Sequence, residues 1–200
     1  MRNRLTIAKS RVYYPMQNQV MLDLETLGTE VGSIITTIGA VKFNNKEIVD
    51  SFYTKICIED SENAGFKTSA STFLFWMNQE DAARKEIIDC THKKGAKIIS
   101  DALFSFSTWM GEDLPVWGNG VLFDNALLSE YYKVKGFKKP WSYRSDRCYR
   151  TVKNMFPQIE AEPFQGVKHN SLDDASAQAN HLIKILNMVS PPRTTAQKNG

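Results

Sequence analysis

The 200-residue chain has no apolar run near the roughly 18 residues that a membrane-spanning helix needs. This excludes a helical membrane protein. No signal-peptide pattern is present. Its three cysteines, Cys57, Cys90 and Cys148, are odd in number and far apart. They fit neither a disulfide framework nor a zinc site, so a reducing cytoplasm is the expected location. Internal repeats are absent, and Gly118-Asn119-Gly120 lacks the third glycine of a dinucleotide-binding fingerprint.

Net charge is also small, +3, but unevenly spread. Arg2, Arg4, Lys9 and Arg11 precede any acid, and Arg193 and Lys198 lie near the end. Setting those six aside leaves 19 of the 25 basic residues against 22 acids. The remaining core is therefore acidic, and two bound divalent cations would reverse its sign in favour of a polyanion. What is present suits one compact domain, with 42% hydrophobic and 11% aromatic residues to fill a core.

Periodicity predicts an α/β fold. Strands are expected near 19–26, 33–44 and 47–57 in meander order, with turns at Leu27-Gly28 and Asn44-Asn45. A loop is expected over 59–71, helical segments at 71–77 and 79–90, and an amphipathic helix from Ile98 to Met110. A strand at Leu114–Trp117 leads into a helix carrying Leu122, Phe123, Ala126, Leu127, Tyr131 and Val134. One further element is expected over 146–155, then a long loop over 156–168, then a helix through Ala175, Ala179, Leu182, Ile183, Leu186 and Val189. The sum is a mixed sheet whose first three strands are antiparallel, with flanking helices.

Three acidic motifs stand at ends of these elements. In Val20-Met21-Leu22-Asp23-Leu24-Glu25, strand alternation puts Met21, Asp23 and Glu25 on one face, the two carboxylates about 7 Å apart. Like charges in an apolar strand repel and resist desolvation unless a cation joins them. The alternative is an edge strand with two solvated acids. Asp124, after Phe123, falls in the first turn of its helix, where it either ligates a cation or complements the helix dipole. Asp174 follows His169 by five positions. It is either another ligand or the partner of Ser171 in a capping box. Together Asp23, Glu25, Asp124, Asp174 and His169 make a site for two divalent cations that cleave phosphodiesters.

On these residues the chain resembles the DEDDh 3′–5′ exonucleases of the ribonuclease H-like fold, from about Met21 to Val189. Phe75-Trp76-Met77-Asn78-Gln79, Ala83-Arg84 and Asp23-Leu24-Glu25-Thr26-Leu27-Gly28 are similar to a small bacterial and phage branch. That branch includes phage exonuclease A-type enzymes and a mycobacterial exoribonuclease. The resemblance implies a ribonuclease H-like fold and substrate contacts from Thr26 and Leu27, with Leu27 against the terminal base. Leu27 is alternatively a turn residue that packs inward. One departure concerns Asn119: proofreading-type relatives carry His-Asn before Phe-Asp, whereas Gly118 precedes Asn119 here. The change bears on a substrate contact at Asn119 and leaves the metal ligand untouched.

The expected chemistry is hydrolysis from the 3′ end, releasing nucleoside 5′-monophosphates. Asp23, Glu25, Asp124 and Asp174 would hold two Mg²⁺ or Mn²⁺ ions, and His169 would be the general base. His92 and His181 are dispensable; helix rise puts His181 roughly 10 Å from Asp174. Trp76 is either a stacking platform for a base or a core residue, and Trp109 and Trp117 belong to the core. Lys138, Lys139, Arg144, Arg147, Arg150 and Lys168 either hold phosphates or form a solvated surface. The expected partners are 3′ ends of single-stranded DNA or RNA, with a second copy of the chain allowed. Two alternatives stay open: a catalytically silent nucleic-acid-binding module, and a metal phosphoesterase for small nucleotides.

Residues 1–15 carry four basic side chains and no acid, and Pro15 breaks pairing into the first strand. They are expected to lie outside the fold, as an upstream-start extension or a basic arm. The exonuclease domain would be 16–189, with a disordered tail over 190–200. A chain truncated to begin at Met16 should keep its melting temperature. A drop of several degrees would place the segment inside the fold.

Overall fold

The computed structural model describes residues 18–189, so the expected extension (1–15) and tail (190–200) lie outside the described residues. A five-stranded mixed sheet runs in the order β3-β2-β1-β4-β5. β1 (Gln19–Thr26), β2 (Ile35–Phe43) and β3 (Ile48–Lys55) form the expected antiparallel meander. Asn44 closes the second turn, its Oδ1 accepting the N–H groups of Lys46 at 2.7 Å and Glu47 at 3.1 Å. That local bond is what makes asparagine a turn former. β4 (Val116–Gly118) and β5 (Asp146–Cys148) extend the sheet parallel to β1.

The helices are α1 (Ile58–Asn63), α2 (Ala70–Met77), α3 (Asp81–Ile88), α4 (Ile99–Met110), α5 (Asp124–Val134), α6 (Tyr149–Met155) and α7 (Ser171–Val189). Among the described residues none is long and apolar enough to cross a membrane. β1 is central, so both its faces are covered, and alternation sorts its side chains between two cores. Val20, Leu22 and Leu24 pack with Leu103 and Phe106 of α4 and Leu128 and Tyr131 of α5. Met21 packs on the other face with Tyr149 of α6 and Ala175, Ala179 and Leu182 of α7. Asp23 and Glu25 continue the Met21 row, so both carboxylates point to the α7 side.

One close approach seats α7. Gly39 pairs with Asp23 across β1 and β2. A Cβ placed on it would lie 2.2 Å from the Ser171 carbonyl carbon and 2.3 Å from the Leu172 nitrogen. The first turn of α7 therefore rests on bare β2 backbone, and this brings Asp174 over the β1 acids.

Several elements differ from expectation. The 59–71 stretch is not all loop: it contains α1 and the start of α2. α1 is under two turns long, and Ser61 is its one fully buried residue, so no apolar period betrays it. The 79–90 segment is α3 followed by a separate 3₁₀ turn at His92–Lys94. Leu122 and Phe123 precede α5 rather than belong to it, and Leu122 is 85% exposed. The single element expected over 146–155 divides into edge strand β5 and helix α6. Trp117 is core as expected, whereas Trp109 is half-buried against Phe52 and Phe106. Trp141 joins the α4–α5 core, its Nε1 donating to Asp146 Oδ1 at 2.7 Å.

Because the obstacle at Gly39 is backbone rather than a movable side chain, Gly39→Ala should destabilise the fold by about 1–3 kcal/mol. Urea unfolding at wild-type midpoint would show that α7 is not seated this way.

Candidate active site

Three elements converge beside β1. Glu25, 8% exposed, stands near the end of β1, paired with Thr37 of β2. Asp23 keeps partial exposure, and its Oδ1 accepts the Gln178 amide of α7 at 2.7 Å. β4 ends at Gly118, and the chain turns through Asn119–Phe123 to start α5 at Asp124. Asp124 is 2% exposed; its Oδ1 accepts the Leu24 N–H at 3.3 Å, while Oδ2 is buried without a partner. A Cβ at Gly118 would lie 2.4 Å from Asn125 Oδ1 and 3.0 Å from Asp124 Oδ2. Packing of Asp124 and Asn125 against the strand end thus leaves no room for a side chain before Asn119.

The start of α7 is capped by Asn170, whose Oδ1 accepts the N–H groups of Leu172 at 3.1 Å and Asp173 at 3.2 Å. Ser171 instead shares a 2.9 Å hydrogen bond with Thr37, so the Ser171–Asp174 capping box does not form. Asp174 Oδ2 accepts the backbone N–H of His169 at 2.9 Å. His169 has φ +63°, a left-handed conformation uncommon for residues with a side chain. Its ring meets the edges of Phe75 (5.2 Å) and Trp76 (5.9 Å) of α2. Glu25, His169 and Asp174 each offer one ligand atom within 4.8 Å of the others.

Burial together with mutual repulsion sets the electrostatics. Desolvation first, and then the charges of Asp124, Glu25 and Asp174, hold the Asp23 carboxyl well above its ordinary range; the Gln178 bond opposes them. Desolvation with Asp174 and Asp124 pushes Glu25 up to about 8. Asp124 rises to about 7 through desolvation, opposed by backbone N–H groups and by Arg150. Desolvation also raises Asp174. Four carboxylates that resist ionising, one with an orphaned buried oxygen, fit hard divalent cations bound by oxygen.

Of the expected substrate contacts, Thr26 is buried and donates its hydroxyl to the Gly28 carbonyl at 2.7 Å. Leu27 is half-buried and packs on the α4–α5 core. Asn119 is half-buried, and its Oδ1 is enclosed without a hydrogen-bond partner. Trp76 is 3% exposed, with Nε1 donating to the Thr26 carbonyl at 2.8 Å. Burial favours its core role over an open stacking platform. His92 is exposed on the 3₁₀ turn. His181 is buried away from the carboxylates, bonded to the Tyr149 hydroxyl and the Ile159 carbonyl, each at 2.6 Å. Sequence reasoning missed Gln178 and Phe75. Gln178 lies four residues after Asp174, so helical spacing puts both on one face. The signal for Phe75 is its adjacency to Trp76.

Comparison with known proteins accords with this geometry. A family profile described as the Rv2179c-like 3′–5′ exoribonuclease domain matches residues 18–186. No curated protein matches in sequence. Among solved structures, the nuclease domain of 3′hExo, a DEDDh family member bound to rAMP, is 14% identical with TM-score 0.60, covering 88% of this chain and 94% of that one. Cell-death related nuclease 4 is 14% identical with TM-score 0.58, covering 87% of this chain and 65% of that one. E. coli exonuclease I in complex with a dA16 oligonucleotide is 11% identical with TM-score 0.58, covering 86% of this chain and 41% of that one. This chain therefore spans about two fifths of exonuclease I. At such identities the likeness establishes the fold, which is the ribonuclease H-like one.

Folded carboxyls with raised pKa bind more protons than unfolded ones, so their contribution to stability falls as pH rises. The window runs from the unfolded values near 4 to about 7 for Asp124 and about 8 for Glu25. Chelator-treated protein should therefore lose melting temperature between about pH 5 and pH 8. Mn²⁺ should restore stability at the top of that window and do little at its foot. Stability that rises through this range in chelator would show that the carboxylates are not desolvated together.

Proposed function

The chain belongs to the Rv2179c-like 3′–5′ exoribonuclease domain family, and from that membership we propose a hydrolase that removes nucleotides from the 3′ end of single-stranded nucleic acid. The observation that carries the reading is that Asp23, Glu25, Asp124 and Asp174 lie close enough to perturb one another, with His169 in ligand reach of Glu25 and Asp174. A structural core has no use for such a cluster, because each acid raises the cost of ionising the next.

Asp23, Glu25, Asp124 and Asp174 would hold two Mg²⁺ or Mn²⁺ ions. When bound, such ions supply charge for the attacking water and the departing 3′ oxygen. His169 takes the proton from that water. Its ring packs against Phe75 and Trp76, and its backbone N–H is tied to Asp174, so base and ligand are held side by side. Leu27, just past the end of β1, and Asn119, on the turn before Asp124, would flank the terminal nucleotide, although Leu27 also packs on the α4–α5 core. Thr26 and Trp76 act from behind, holding the strand end through the Thr26 carbonyl. The free thiols of Cys57, Cys90 and Cys148 suit a reducing compartment.

The direct test follows 5′-labelled and 3′-labelled single-stranded DNA and RNA with Mg²⁺ or Mn²⁺. A 5′-labelled strand should shorten stepwise, and a 3′ label should leave as a nucleoside 5′-monophosphate. Strands left intact while mononucleotide esters are split would favour a small-nucleotide phosphoesterase. His169→Ala should cost about 10²–10⁴-fold in rate yet keep the metal-induced rise in melting temperature. Asp124→Ala should lose both. Wild-type turnover at neutral pH in His169→Ala would remove its role as base.

A further inference from the structure

Among the described residues the basic side chains near the sheet edge differ in their partners. Lys139 is tied into the structure: it pairs with Asp146 at 3.7 Å, donates to Ser129 and lies over Trp141. Arg144, Arg147, Arg150 and Lys153 form no ion pair among the described residues, although all four lie within ten residues of one edge of the sheet. From Arg147 to Ile159 the sequence contains no acid. The one acid just before, Asp146, is taken up by Lys139, Trp141 and Asn125.

The topology places this edge at the active site. β5 is the outermost strand, parallel to β4 and, through it, to β1. Parallel strands share a carboxyl-terminal rim, and that rim carries Glu25, Asp124 and, two residues past β5, Arg150. The Arg150 guanidinium packs across the turn leading to Asp124: a Cβ at Gly120 would lie 3.4 Å from its Nη2 and 3.7 Å from its Nη1. Lys153 stands one turn further along α6, on the same helix face, above the Tyr149 ring at 5.6 Å. Arg147 pairs with Trp117 in the register, on the Met21–Asp23 side of the sheet. Its Nη1 donates to the carbonyls of Arg144 and Asp146, which leaves its other nitrogens free for an acceptor.

We infer that the β5–α6 edge is the phosphate track of the substrate strand, with Arg150 nearest the carboxylates and Lys153 and Arg147 further along. This rests on the nuclease reading for the identity of the occupant, a single-stranded nucleic-acid backbone. Phosphate contacts of this kind fix position and supply affinity without reading sequence. These cations have no carboxylate partner among the described residues, so their charge is open to a partner that arrives with the substrate.

The test is binding, measured by fluorescence anisotropy of a labelled single-stranded oligonucleotide whose 3′-terminal linkages are phosphorothioates. Arg147→Ala/Arg150→Ala/Lys153→Ala should bind at least about tenfold more weakly, with a salt slope shallower by about two. Arg150→Lys should recover part of the affinity. Lys93→Ala/Lys94→Ala, on the 3₁₀ turn at the opposite, β3 side, should bind like wild type. If the triple variant fails to fold, Arg150→Glu alone carries the same expectation. Wild-type affinity in the strip variants, an equal loss in the Lys93/Lys94 control, or a wild-type protein that binds no oligonucleotide would overturn the track. A protein that binds through the strip but shortens no strand would overturn the nuclease reading and leave the track standing. A protein that shortens strands with or without the strip would do the reverse.

Discussion

Four carboxylates packed where water is scarce are the constraint to which this structure answers. Removing one charge from water already costs several kcal/mol, and here each acid also repels its neighbours. The fold tolerates the arrangement because burial favours the neutral forms: Glu25 and Asp124 are pushed up to about 8 and about 7. Gln178 and the Leu24 and His169 N–H groups satisfy part of the oxygen set, but Asp124 Oδ2 has no partner among the described residues. Satisfying every oxygen internally would stabilise the protein and close the site. The unfilled valence is the feature that makes the cluster chemical rather than structural.

Holding three separate chain segments at one point depends on close backbone approach. Gly39 lets α7 lie on β2, and Gly118 lets Asp124 fold back against β4. Ala175 and Ala179 extend the same logic along α7, where small side chains keep the helix low over Met21 and Val41. The price is a strained backbone at one loop residue. His169 sits at φ +63° so that its N–H reaches Asp174 while its ring turns toward α2. A glycine would adopt that backbone at less cost, but it would leave the site without an imidazole. Strain and chemistry coincide at this residue, as they commonly do in functional loops.

Strand alternation made the centre of the fold legible. In β1 the period of two separates Val20, Leu22 and Leu24 from Met21, Asp23 and Glu25, and the two observed cores divide along that line. Short elements were not legible, because α1 and β5 are too brief to show a period and draw their order from neighbours. Local chemistry at the start of α7 was ambiguous in sequence, since Asn170 and Ser171 are both good caps. Tertiary contact decided between them, as Thr37 claims Ser171 and frees Asn170 for the helix end. Trp76 was ambiguous for a different reason. A tryptophan among exposed Phe73, Leu74, Phe75 and Met77 looks like part of a surface, yet it is the one residue of α2 turned fully inward.

Charge is laid out across the rim as a gradient rather than a uniform field. At one end stand the clustered acids; at the other, from Arg147 along α6, stand cations with no acid among them. On the proposed reading, a polyanion approaching the bare site would meet repulsion from whichever carboxyls are ionised and attraction at Arg150. Occupancy by divalent ions removes the first term and keeps the second. Seating of a strand would thereby be coupled to metal loading. Arg150 links the two ends, because it lies over the Gly120 turn and its charge also favours the ionised form of Asp124. The same guanidinium thus opposes the effect of desolvation on Asp124 and would mark where the rest of a bound strand leaves the site.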